Sequence, residues 1–234
     1  MRLQFDAQRV QVMGNLDYSR IGQKGYKKKD WLDDLLDWGE ADTAFAESIK
    51  PVIQAVLIET GRSAMQEIGK QPSLYDPFTP ALREYFANRS LKIAADVNDE
   101  TAKQLRAALS QGVLAGESTY QLRARVEAIF GSASTMRADR IARTEVARAQ
   151  GFADIQAWTQ SGVVSAKEFY TARDDRVCPG CSSLDGKVYG LTQNIFDKGD
   201  TLTVGDYRLK LDYDDVPSAP IHVGCRCVLL PVRA

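Results

Sequence analysis

The hydrophobic positions between residues 31 and 161 recur every three or four places, with polar positions between them. This spacing is typical of amphipathic helices. The stretch AFAESIKPVIQAVLIETGRSAMQEIGK predicts a long helix in which Pro51 marks a kink or a boundary, because proline cannot donate the helical hydrogen bond. The pattern opens with five apolar residues, which are Trp31, Leu32, Leu35, Leu36 and Trp38. We therefore predict a helical module over residues 31–161.

Polar residues at suitable places predict where the later helices of this module begin. Thr79 precedes a proline and fits an N-cap with proline at the first helical position. Asn98 is placed to cap a further helix. Ser118 and Gln121 have the spacing of a capping box. Ser134 would cap the last long helix, which runs to the end of the module.

The pattern changes on both sides of the helical module. After Gly162, the segments KEFYTARD, KVYGL, TLTV and YRLKLDY are short and β-prone, and Gly, Asp and Pro separate them. At the other end, RLQFDAQRVQV alternates weakly, which predicts a short strand before a turn-rich connector. The sequence thus predicts an α+β fold in three parts: an N-terminal strand and connector (1–30), an elongated helical module (31–161) and a small β-rich module (162–234).

Composition and charge narrow the class of protein. The chain has 234 residues, of which 44% are hydrophobic and 26% charged, as in ordinary folded proteins. A formal net charge of -1 provides no overall attraction to nucleic acid or to an anionic membrane. No apolar run approaches the ~20 residues that span a bilayer, and the N-terminus lacks the apolar stretch of a signal peptide. We therefore expect a cytosolic origin and no membrane partner.

All four cysteines and the single histidine lie in two short segments near the C-terminus. In a reducing compartment, clustered cysteines favour metal ligation over disulfides. Zinc commonly takes four ligands from thiolates and imidazoles, and here five residues compete for those places. The candidate metal ligands are Cys178, Cys181, His222, Cys225 and Cys227. The alternative is a pair of disulfides, or one disulfide with two buried thiols.

Spacing favours some of these ligands over others. Cys178 and Cys181 are separated by two residues that suit a tight turn around one metal. If residues 225–227 are extended, the side chains of Cys225 and Cys227 face opposite ways, and one of them misses the metal. We favour Cys178, Cys181 and Cys225, with His222 preferred to Cys227 for the fourth place.

The predicted metal is structural. A catalytic zinc keeps an open coordination position beside a general base, and the chain has neither HExxH nor the HxE and PCxxC pair of the zinc deaminases. A module of about 70 residues has a small hydrophobic core, and a structural metal is a common remedy. We therefore predict a zinc site that stabilises residues 162–234, no catalytic residues and no small-molecule substrate.

Two features stand out in the helix before residue 162. On a helical wheel, Glu145 falls within the apolar face, where an ionised carboxylate needs a partner. We predict that it is a structural lock in a helix-packing salt bridge; the alternative is a catalytic acid. The other feature is a basic edge that could contact phosphates, although a solvated face is the simpler interpretation. The candidate nucleic-acid contacts are Arg137, Arg140 and Arg148, with Lys27, Lys28 and Lys29 nearer the N-terminus.

Three motifs in the second half of the chain occur in a recognisable order. They are Arg143-Thr144-Glu145, the segment from Asp174 to Gly186 with its CPGC and LDG, and the segment from His222 to Cys227. Together they resemble the Mu F-like minor head proteins of tailed bacteriophages, also called phage head morphogenesis proteins. The resemblance covers roughly residues 100–234. One departure is Val223-Gly224, where the family usually has Pro-Asn after the histidine.

The resemblance implies a function that the residues alone do not. It implies a non-enzymatic minor capsid protein of the virion, associated with the portal vertex while the head assembles in the host cytoplasm. The implied partners are the portal protein, scaffold or major capsid protein, and DNA, with the protein in the capsid interior or at the portal vertex. The alternatives are a DNA-binding accessory protein of packaging or ejection, and a zinc-dependent enzyme.

Overall fold

A computed structural model describes residues 2–15 and 36–233 of the chain. Helices come first and antiparallel strands last, which confirms the predicted α+β class. The helices are α1 (Arg2–Asn15), α2 (Trp38–Glu67), α3 (Pro80–Leu114), α4 (Thr119–Phe130), α5 (Ser132–Ser161) and the one-turn α6 (Pro179–Ser182), with a 3-10 helix at Pro72–Leu74. The strands are β1 (Val164–Tyr170), β2 (Val188–Gly190), β3 (Asp200–Val204), β4 (Tyr207–Leu211) and β5 (Val228–Arg233).

The predicted N-terminal strand is wrong, because residues 2–15 form helix α1. Phe5, Gln8 and Val12 are buried, and their spacing of three and four residues is that of one helix face. The Gln8 amide donates a hydrogen bond of 2.8 Å to Asn98. A polar residue thus occupies a buried helical position, and this hides the helical period in the sequence.

The predicted helix start at Asn98 is also wrong, because Asn98 lies in the middle of the continuous helix α3. Its side chain is 2% exposed. It accepts the hydrogen bond from Gln8 and donates one of 2.7 Å to Asp42. A buried amide needs such partners, and here they come from α1 and α2. Asn98 therefore links three helices instead of capping one.

Other predicted helix ends are confirmed or shifted. Pro51 does not end the helix, since α2 continues through it. Helix α3 begins directly after Thr79, whose hydroxyl accepts from the backbone N–H three residues on. The capping box is confirmed: the Gln121 N–H donates to Ser118, and the Gln121 side chain accepts from the Ser118 N–H at 2.8 Å. Helix α5 begins two residues before Ser134, the predicted cap.

The chain divides into two compact units. The first consists of Met1–Pro51 and Phe86–Asp139, and the second of Val52–Tyr85 and Arg140–Ala234. The first unit has a core of helix side chains that includes Phe5 and Phe45, whose rings meet edge to face. The core of the second unit combines Trp158 of α5 with residues of the strands such as Phe169. All of the sheet therefore belongs to the second unit.

The strands of the second unit form two antiparallel sheets. One has the order β2-β1-β5, and the other is the β3–β4 hairpin. Lys167 and Phe169 of β1 are fully buried. The Lys167 ammonium donates to the carbonyl oxygens of Leu191 and Gln193, at 2.8 and 2.6 Å. Within the described residues, no helix combines the length and apolarity needed to cross a bilayer.

Candidate metal centre

Helix α6 and the residue before it supply the first two sulfur atoms. Cys178 is the N-cap of α6, and its Sγ accepts a hydrogen bond of 3.3 Å from the backbone N–H of Cys181. Pro179 occupies the first helical turn, a position where its missing N–H has no cost. This single turn holds the two sulfur atoms on the same side of the chain.

The second group of donors lies in the loop before β5. Gly224 adopts a left-handed conformation with φ +75°, and the Cys225 N–H donates to the His222 carbonyl at 3.2 Å. Residues 222–225 therefore form a turn, and Cys225 and Cys227 precede the strand. Cys225 and Cys227 nevertheless both reach Cys181, since the donor atoms of the three residues lie within 4.8 Å of one another.

The five predicted ligands lie together in one cluster. The His222 Nε2 atom is 3.2 Å from the Cys178 Sγ and 3.3 Å from the Cys181 Sγ. The Cys181 Sγ is 3.6 Å from the Cys225 Sγ. The donor atoms of Cys181, Cys225 and Cys227 lie within 4.8 Å of one another, so Cys181 belongs to both groups. The cluster borders a cavity of about 20 Å³, and these residues could hold a single metal ion.

Hydrogen bonds and burial shift the pKa values of the clustered thiols in opposite directions. Hydrogen bonds from Cys181 and Cys227 hold the pKa of Cys225 below its ordinary value. The bond to Cys225, together with burial, raises the pKa of Cys181. Burial opposes ionisation of Cys178, but hydrogen bonds from the Cys181 amide and the Tyr207 hydroxyl lower its pKa. A divalent cation that binds these sulfur atoms would displace their protons, because the thiolate is the form that ligates a metal.

The ring of His222 is oriented by the backbone carbonyl of the next residue, Val223. The His222 Nδ1 atom lies 2.9 Å from the carbonyl oxygen of Val223. In the tautomer that carries its proton on Nδ1, this nitrogen donates to that oxygen. The Nε2 lone pair then points at the sulfur atoms of Cys178 and Cys181. A histidine that donates through one ring nitrogen and faces the ligands with the other has the usual arrangement of a metal ligand.

Tyr207 of β4 adds a contact that the sequence analysis missed. Its hydroxyl donates to the Cys178 Sγ at 3.6 Å. Its ring packs against Gly180, where a Cβ atom would lie 2.6 Å from the ring. Glycine is therefore required at position 180 for this close approach. The available signal was the alternation of β4, in which Tyr207, Leu209 and Leu211 are the less exposed positions.

Two acidic residues of the second motif hold the ligand segments in place. Asp174 receives two hydrogen bonds from Arg226, of 2.7 and 2.5 Å, which lower the pKa of Asp174 to about 2. This pair joins the segment before Cys178 to the segment that contains Cys225. Asp185 accepts from the backbone N–H and hydroxyl of Thr171 and from Arg173. The two carboxylates therefore stabilise the segments that carry the clustered residues.

Glu145 of helix α5 is 8% exposed and forms an ion pair of 2.7 Å with Arg148. The Arg148 guanidinium also lies 5.4 Å from the centre of the Tyr213 ring. The Tyr213 hydroxyl donates to the carbonyl oxygen of Ile221 at 2.6 Å, and His222 follows Ile221 directly. A chain of contacts thus runs from Glu145 to the ligand loop. This is the environment expected of a structural lock, and that role stays a prediction.

The candidate nucleic-acid contacts differ in their surroundings. Arg137 donates to the carbonyl oxygen of Val97 at 2.8 Å and lies over the ring of Phe5. Arg148 is paired with Glu145, whereas Arg140 is exposed. Lys27, Lys28 and Lys29 lie outside the described residues. Two of the three arginines thus have partners within the chain, and nucleic-acid contact stays a prediction.

The fold and the site define a class: a mainly helical protein whose small C-terminal sheet region carries a cysteine and histidine cluster. Residues 103–230 match the family described as phage Mu protein F like protein. This match spans more than half of the chain and includes all five clustered residues, and the chain belongs to this family. The resemblance seen in the motifs is therefore confirmed. No curated protein and no solved structure matches the chain.

Proposed function

We propose that this protein is a minor head protein of a tailed phage that acts in head morphogenesis, with a structural zinc ion in its C-terminal region. Membership of the phage Mu protein F like family supports the role in head assembly. The observation that carries the zinc site is the convergence of five soft donors from two separate segments. Thiolates and imidazoles are the ligands that structural zinc prefers.

The proposed ligands are Cys178, Cys181, Cys225 and His222. Zinc at about 2.3 Å from each sulfur in a tetrahedron separates the sulfur atoms by roughly 3.8 Å. The Cys181–Cys225 distance of 3.6 Å is close to this value. His222 is preferred for the fourth place because its Nε2 atom already faces two sulfur atoms and its Nδ1 atom has a partner. Cys227 is then a neighbouring thiol outside the metal shell.

The proposed role of the metal is to hold two segments together. A metal between α6 and the loop before β5 would join the ends of most of the strand region. Because the site exists only in the folded chain, the free energy of metal binding would stabilise the folded state. Four protein ligands leave zinc no open position for a substrate. We therefore propose a non-enzymatic role. The family membership also supports a location in the virion, where the portal protein, scaffold or major capsid protein and DNA are the proposed partners.

The proposal is tested on the full chain and on the phage. Elemental analysis with a thiol count should find about one zinc per chain and four reduced cysteines. A phage defective in this gene is then complemented with the unaltered protein, with Cys181→Ser or with the matched control Ser182→Ala, whose side chain is exposed. Cys181→Ser should reduce the yield of filled heads, counted by electron microscopy, while Ser182→Ala should not. Metal-free protein with paired thiols would reject zinc, and normal heads without the protein would reject the role in assembly.

A further inference from the structure

The outer face of the three-stranded sheet is apolar around one acidic residue. The strand register pairs Glu168 of β1 with Val188 of β2 on one side and with Leu230 of β5 on the other. Ala166 and Tyr170 precede and follow it on the same face of β1, since side chains alternate along a strand. Val188 is 56% exposed and Leu230 38%. The side chains nearest to Glu168 on this face are therefore all apolar or aromatic.

The apolar surface continues beyond these neighbours. Ala166 pairs with Val232, and Tyr170 pairs with Val228, which is 52% exposed. The guanidinium of Arg173 lies 4.3 Å from the centre of the Tyr170 ring and borders the apolar surface there. The opposite face of the sheet contains the buried residues Phe169 and Leu229, so the core is formed there. An antiparallel sheet with one covered face normally has polar residues on the other. A contiguous exposed apolar surface of this kind marks an interaction site.

The carboxylate of Glu168 decides what this surface can accept. It makes no ion pair with any residue in the two described stretches of the chain. Glu168 is only partly exposed, and a partner on Val188 and Leu230 would remove the remaining water from its carboxylate. Covering a carboxylate is costly unless a cation or a hydrogen-bond donor meets it.

A second copy of the chain fits this surface poorly. A two-fold axis through the face would bring Glu168 against its own copy, and like charges in contact are unfavourable. We infer that the outer face of the β2-β1-β5 sheet binds a different protein chain through an apolar surface with a lysine or arginine at its centre. This inference depends on the sheet and not on the metal site.

The edge of β5 does not favour the addition of a partner strand. The Phe169 N–H donates to the Lys187 carbonyl, and the Phe169 carbonyl accepts from the Gly186 N–H. The backbone N–H and carbonyl of Phe169 therefore point away from β5. Because hydrogen bonding alternates along an antiparallel pair, Leu229 and Pro231 of β5 direct their own backbone groups to the outer edge of the sheet. Proline has no N–H to donate, so the free edge of β5 is blunted. The edge of β5 is therefore poorly suited to a partner strand, and the exposed face is the surface that we propose.

The test uses photo-crosslinking in cells that assemble the phage heads. Para-benzoyl-phenylalanine replaces Val228 in the full-length protein, and Thr201, exposed on β3, is the control position. Cross-linked peptides are identified by mass spectrometry. We expect position 228, and not 201, to capture an apolar segment of another protein with a lysine or arginine. Glu168→Arg should reduce this product by about tenfold or more, and a change of the partner's basic residue to glutamate should restore it.

Cross-links to other segments would overturn the inference. Such segments are a second copy of the chain, residues 16–35 of the same chain, or a segment without a basic residue. The inference would also be overturned if position 228 gave no more cross-linked product than position 201. The same holds if Glu168→Arg left the amount of product unchanged. Because the substitution at Val228 could disturb folding, Val188 is a second labelling position, and unchanged circular dichroism and metal content are required of both. Head yield is measured separately, so failure of this interface and failure of the proposed function are distinguishable.

Discussion

The hydroxyl of Thr144 accepts a hydrogen bond of 3.3 Å from the backbone N–H of Gly224, across 80 residues of sequence. Gly224 lies in the turn between His222 and Cys225, so helix α5 directly supports the loop that supplies two of the four proposed ligands. Tyr213 reinforces this loop through its bond to Ile221. The Arg-Thr-Glu motif and the cysteine motifs are thus parts of one structure, which gives a physical reason for their occurrence together.

The fourth ligand can be identified by comparing two substitutions. His222→Ala should weaken zinc binding by about a hundredfold or more, because one of four ligands is lost. Cys227→Ser should leave both the stoichiometry and the number of coordinating thiolates unchanged. Cobalt-substituted protein reports the thiolate number through the intensity of its sulfur-to-metal charge-transfer band. If Cys227→Ser lowers that intensity and His222→Ala does not, the proposed ligand set is wrong.

Tyr207→Phe should weaken the metal site without disturbing the fold. The substitution keeps the ring that packs against Gly180 and removes the hydroxyl that donates to Cys178. Loss of a partner that orients a ligand typically lowers metal affinity by about tenfold or more. Affinity is measured by competition with a chelator. Tyr189→Phe, in β2, is the matched control, and an equal effect of both variants would show that the Tyr207 hydroxyl has no specific role.

Glu145→Ala should destabilise the second unit by about 2 kcal/mol, because it leaves the partly buried Arg148 without its carboxylate. Glu145→Gln should cost less, since the amide oxygen still accepts a hydrogen bond. Urea unfolding followed by circular dichroism measures both values. If Glu145 is a structural lock, the head yield of each variant should fall in proportion to its loss of unfolding free energy. A fully stable Glu145→Gln protein that fails in assembly would contradict that role.

Asp154 should make stability depend on pH. Burial and the nearby Glu67 raise the pKa of Asp154 to about 7 in the folded state. The unfolded chain releases this proton near pH 4, so the folded state binds more protons between about pH 4 and pH 7. The contribution of Asp154 to the free energy of unfolding is therefore present below pH 4 and falls as the pH rises to about 7.

Asp154→Asn removes this ionisation and should raise the free energy of unfolding by a few kcal/mol at pH 8, but by little at pH 4.5. The measurement is urea unfolding of both proteins at each pH, with the exposed Asp206→Asn as control. Taking the difference between variant and unaltered protein cancels the pH dependence of the thiols. A difference that does not change with pH would show that Asp154 ionises normally.

Features made by neighbouring residues were predictable from the sequence. The capping box of Ser118 and Gln121 and the turn from Cys178 to Cys181 depend on three-residue spacings. Asn98 was misread because its partners, Gln8 and Asp42, are distant in the sequence and nothing local identifies them. Asparagine is common at helix starts, so the sequence favoured an N-cap at position 98 over a buried position within α3.

Part of the candidate site was hidden for the same reason. Tyr207 reaches Cys178 only because the β3–β4 hairpin folds over α6. The alternation of β4 places Tyr207 on the less exposed side of the strand but does not identify Cys178 as its partner. The five donor residues were found because cysteine and histidine are rare in this chain. The relative positions of Cys225 and Cys227 could not be predicted from the sequence, because both lie close to Cys181, which is distant along the chain.

The distance of 44 residues between Cys178 and His222 has a consequence for the order of events during synthesis. At about 5–20 residues per second, a ribosome adds the second group of donors roughly two to nine seconds after the first. During that interval the nascent chain offers two thiols, which cannot complete a tetrahedral site. A chain that stalls before His222 would therefore lack two of the four proposed ligands and could not hold the proposed ion.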